Sequence, residues 1–160
     1  MDGPNVNWKA FDLLSNQLEK ESGRKLINVG SCGLHVLHNA FEGGCAAAKW
    51  EVDSVLSALH WLFKHSPARR EDFVNVTGSS IFPKKFCHHR WVENLPVAEH
   101  ALLVWPNIEL FVAAAQSRKV KLPKNKSFTT VAESVMLPLF LIRLNAFLSI
   151  SKEITPFLTR

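Results

Sequence analysis

Lys25-Leu26-Ile27-Asn28-Val29 is the stretch on which the fold turns. Its apolar and β-branched residues, set between Gly23 and Gly30, have the length and composition of a short strand. Helical patterns flank it. Upstream, Trp8, Phe11, Leu14 and Leu18 share one face of a helix over residues 8–21, which Gly23 stops. Downstream, Gly30-Ser31 turns the chain, and Ser31 has the chemistry to cap a helix that runs through Phe41 and ends at Gly43-Gly44. Residues 1–45 therefore read as turn, helix, strand, helix. A lone strand leaves its edge N–H and C=O groups without partners. Either residues 26–29 are not a strand, or the rest of the sheet is supplied from elsewhere: upstream of Asp2, or by a second chain.

From Ala46 onward every pattern is helical. Val52, Val55, Leu56, Leu59, Leu62 and Phe63 recur at helical spacing until Ser66-Pro67 breaks the run. A shorter helix covers residues 68–76, and residues 77–83 read as a loop. Residues 90–105 are helical around Pro96, and Pro106 starts a further helix to Gln116. Residues 118–126 hold five basic side chains and no acid, the composition of an exposed linker. Ser127 is placed to cap a helix to Leu137, where Pro138 kinks or restarts it toward Ile150. The fold class is thus mostly α with a small α/β start, divided into residues 1–45 and 46–160.

The net charge of +5 and a pI near 9.3 favour anionic partners, nucleic acid first. Three cysteines, Cys32, Cys45 and Cys87, make an odd set without framework spacing, the usage of a reducing compartment such as nucleus or cytoplasm. The apolar stretch 135–148 is interrupted by Pro138, Arg143 and Asn145, so no membrane span is expected there.

Three groups carry candidate chemistry. Asp2, in the turn Asp2-Gly3-Pro4-Asn5, can hold Mg²⁺, or cap the following helix. Cys32, His35 and His38 repeat at a spacing of three, which brings them toward one helical face as zinc ligands or as buried, hydrogen-bonded core residues. Arg90 can grip a phosphate and Trp91 can stack on a base, or the pair can serve as salt-bridge partner and core anchor. Lys84-Lys85, Arg69-Arg70 and the 118–126 segment are basic spots able to follow a nucleic-acid backbone.

In their order, Asp2-Gly3, then Cys32-Gly33-Leu34-His35, then Arg90-Trp91, the chain resembles the catalytic region of hAT-superfamily transposases and their host-domesticated relatives. The resemblance implies an RNase-H-like segment over residues 1–45, followed by an all-helical insertion. It implies that Asp2 matches the second metal-binding aspartate, that Cys32 and His35 match a Cys-x-x-His motif, and that Arg90 and Trp91 contact the DNA end. The family's first aspartate and final glutamate have no counterpart here. Two-metal cleavage needs carboxylates holding ions about 3.5–4 Å apart. The expectation is therefore a transposon-derived DNA-binding chain that does not cleave alone, with Mg²⁺ held only in a complete parent. A helical protein-interaction or zinc-binding module is the alternative.

Overall fold

The computed structural model describes residues 5–27 and 33–157, which divide into two compact units, residues 1–43 and 44–160. In the first unit, α1 spans Asn5–Ser22. It stops at Gly23, whose φ of 70° and N–H to the Glu19 carbonyl (2.9 Å) form a left-handed cap. Residues 24–27 then turn back on the helix. The Leu26 N–H donates to Ser15 Oγ at 3.3 Å, and Lys25 pairs with Glu19 at 3.3 Å.

This is where the expected strand departs from the structure. Leu26 and Ile27 join no ladder, and the described residues contain no strand. Asn28 and Val29 lie outside them. Local pairing to a side chain on α1 has replaced the sheet partner that the composition called for. Ile27, with its apolar side chain 85% exposed, shows that strand-forming residues alone do not create a strand.

The second helix, α2, covers Gly33–Ala47. It does not end at Gly43-Gly44 as expected, because nothing compels a glycine in an open helical position to break the turn. It ends in a Schellman arrangement instead: Lys49 N–H bonds the Ala46 carbonyl and Trp50 N–H the Cys45 carbonyl, with Lys49 at φ 53°.

The second unit is a bundle around α3, Val52–Lys64. Every apolar position predicted from its periodicity is buried, and Leu59 and Leu62 are fully so. Pro67 opens α4, Pro67–Thr77, and Gly78 closes it at φ 68°. After a single 3₁₀ turn, Trp91–Asn94, the long α5 runs Leu95–Gln116. Pro106 sits inside α5 rather than at the start of a new helix. Burial of Trp105 and Ile108 on either side holds the helix together across the missing N–H. The helices α6, Lys126–Met136, and α7, Leu139–Ile154, meet at Pro138 with a bend of 95°.

Four phenylalanines join these elements. Phe63 of α3 lies 4.9 Å from Phe73 of α4 and 5.4 Å from Phe111 of α5. Phe82, from the connection after α4, sits 5.4 Å from Phe73, and Arg70 covers its outer face at 4.2 Å. By length and composition, residues 91–116 would suffice to cross a membrane, but α5 buries nine side chains within this bundle, as a core helix does.

Residues 78–90 have no regular structure, yet they are pinned. Phe86 is buried edge-on against Trp91 at 5.4 Å. Asn94, 1% exposed, ties the end of the segment down. Its Oδ1 accepts from Cys87 N–H at 2.7 Å, and its Nδ2 donates to the carbonyls of Cys87, Arg90 and Trp91. Asn94→Ala strands the Cys87 N–H and takes one donor from each of three carbonyls, of which those of Cys87 and Arg90 keep a backbone donor. The variant is expected to lose about 1–3 kcal/mol of stability, read from the urea midpoint. Asn94→Asp, which keeps the acceptor but sets a buried carboxylate against three carbonyl oxygens, should lose at least as much near neutral pH.

Candidate nucleic-acid interface

Two basic segments some fifty residues apart converge on one groove of about 900 Å³. One side is the start of α4, with Ser66, Ala68, Arg69 and Asp72. The other is the strap of residues 117–125 between α5 and α6, which contributes Arg118, Lys119, Lys121 and Lys124. Five cations face one carboxylate, so the groove is strongly positive.

Local chemistry fixes each part. Arg69 Nη1 donates to the Leu62 carbonyl, one of the last in α3, where a cation complements the helix dipole. Burial pulls the Arg69 guanidinium below its ordinary pKa, and neighbouring Asp72 partly offsets this. The strap is held at both ends. At its start α5 closes in a second Schellman arrangement: Arg118 N–H bonds the Ala115 carbonyl at 3.1 Å and Lys119 N–H the Ala114 carbonyl at 2.9 Å. At its end Asn125 Oδ1 accepts from Phe128 N–H at 2.9 Å and caps α6. Asn125, not Ser127, is thus the cap. The 118–126 stretch is the exposed linker its charge suggested, anchored at both ends.

Arg118 occupies the left-handed position of that turn, at φ 59°, where glycine is unstrained. Arg118→Gly should therefore move two measurements in opposite directions. Thermal stability rises by about 0.5–1 kcal/mol, while affinity for a polyanion falls because the groove loses a cation.

The other candidates fall elsewhere. Asp2 and Cys32 lie outside the described residues. His35 and His38 share α2, His38 being buried. Among the described residues no three His, Cys, Asp or Glu side chains gather as metal ligands. Arg90 is exposed and pairs with Glu93 at 3.2 Å, whereas Trp91 is 4% exposed and packs on Phe86 and Phe147. The two neighbours point to different surroundings, and Trp91 presents no open face for a base. Lys84 and Lys85 project between the anchored Pro83 and Phe86. Burial, and then the charge of Lys84, hold the His100 imidazole below its ordinary pKa. The same cause, with Asp53 second, pushes the Cys45 thiol up to about 11 and keeps it protonated and unreactive at neutral pH. Cys87 Sγ lies 3.5 Å from His89 Nε2 at the surface.

No family model, curated protein or solved structure matches the chain.

Proposed function

We propose that the protein is a DNA-binding helical domain of transposon origin, residues 46–160 acting as the helical insertion of an hAT-type, RNase-H-like catalytic region. One observation carries the binding part: α4 and the strap bring five cations to a single concave surface with one acid. Phosphates are the complement of such a surface, because lysines and arginines spaced along a groove displace condensed counterions from the backbone. The ancestry rests on the order of the Asp2-Gly3, Cys32–His35 and Arg90-Trp91 motifs. In this reading the chain holds DNA and does not cut it, and Arg90, Lys84 and Lys85 form a second set of backbone contacts.

The test is a titration of labelled duplex DNA by anisotropy across a salt series without Mg²⁺. A log–log slope of about −4.5 is expected if each of the five groove cations meets a phosphate, at about −0.9 per contact. A flat salt dependence, or no binding at low salt, removes the reading.

A second reading has its own observation. Leu103 and Leu110 on α5, and Leu139 and Ile142 on α7, are each more than half exposed. Apolar side chains at that density on two packed helices suit a protein partner or a second copy. Sedimentation decides the second of these, since a monomer over the whole concentration range excludes self-association.

A further inference from the structure

The strap has a second side. Leu122 and Pro123 line the basic groove, and they also line an open apolar pocket of about 690 Å³ against α6. Met136 and Leu137 close its far side, with Met136 70% exposed, and Thr129 and Glu133 stand at its margin. The same two residues thus separate a basic surface from an apolar one. The volume falls in the range of small-ligand pockets, about 300–1,000 Å³.

We propose that this pocket takes unpaired nucleobases of a single-stranded nucleic acid whose phosphates lie in the adjacent groove. The inference rests on reading the groove as a phosphate site. Three features select this occupant. First, a strand that is charged on one edge and flat and apolar on the other matches a wall that is basic on one side and apolar on the other. Second, a duplex keeps its bases stacked inward, so only an unpaired strand can reach across Leu122-Pro123. Third, Glu133 brings a carboxylate to the pocket. A carboxylate accepts from the exocyclic amine of cytosine, which thymine lacks.

The experiment compares fluorescein-labelled oligo(dC), oligo(dT) and a duplex of equal length by anisotropy, using the full chain. The wild type is expected to bind oligo(dC) roughly fivefold or more tighter than the duplex at equal salt, and tighter than oligo(dT). Met136→Ser should weaken oligo(dC) roughly five- to tenfold while leaving duplex affinity and its salt slope unchanged. Glu133→Gln should narrow the difference between oligo(dC) and oligo(dT). Both positions are exposed, so both variants are expected to fold, which circular dichroism checks. Equal losses on single strand and duplex, or no loss with Met136→Ser, overturn the proposal and leave the groove intact as a backbone site. Competition by polyglutamate that depends on Met136 also overturns it, assigning the pocket to a peptide. Absence of any salt-sensitive nucleic-acid binding overturns the groove reading itself.

Discussion

Replacing Lys119, Lys121 and Lys124 together with glutamine is expected to weaken DNA binding roughly 10- to 100-fold near physiological salt. All three lie on the strap side of the groove. Each exposed cation–phosphate contact is worth up to about 1 kcal/mol, and about 1.4 kcal/mol is a factor of ten. The more diagnostic readout is the salt slope, which should fall by about 0.9 for each lysine that contacts a phosphate. The lysines flank the Schellman turn and the Asn125 cap without supplying side-chain bonds to either, so thermal stability should be nearly unchanged. A triple variant that keeps the wild-type slope would place the DNA elsewhere, for instance along Lys84, Lys85 and Arg90.

The second large effect concerns the core. Phe111 is fully buried where α3, α4 and α5 meet, within 5.4 Å of Phe63 and 5.8 Å of Phe73. Phe111→Ala removes the ring contacts and leaves a cavity that a bundle pinned at Pro67, Asn94 and Asn125 cannot easily close. The expected cost is about 3–5 kcal/mol, with the melting midpoint lowered by roughly 10–20 °C. Its chain neighbour is the control. Leu110 is 55% exposed, so Leu110→Ala should stay within about 0.5 kcal/mol of wild type. Scanning calorimetry on both variants separates the two outcomes.

Both predictions depend on facts that differ in how far they could be read from the chain. The buried face of α3 was legible, because six apolar residues at helical spacing permit one amphipathic solution. The break at Pro67 and the loop that follows α4 were legible too, since proline lacks a donor and residues 77–83 have loop composition. The end of α2 was not. Its stop depends on Lys49 adopting a positive φ, which the residue type does not announce, while Gly43 and Gly44 looked like the stop and were not. The continuity of α5 through Pro106 escaped for a related reason: burial on both sides outweighs one missing hydrogen bond. Trp91 could be read as a base-stacking residue or a core anchor until Phe86 and Phe147 appeared beside it. For the interface, the charges of Arg69 and of residues 118–124 were visible as separate basic spots. Leu122, Pro123 and Met136 gave no signal, because apolar residues at a surface look in sequence like apolar residues in a core.

By itself, then, the sequence determined the mostly helical character of residues 52–157, the burial pattern of α3 and the excess of positive charge. Those properties follow from periodicity and composition, which are local. Only the tertiary structure decided that Leu26 and Ile27 join no sheet, that α4 and the strap share one groove, and that the strap's other side is apolar. Each of these depends on which distant groups meet, and neither propensity nor spacing contains that information.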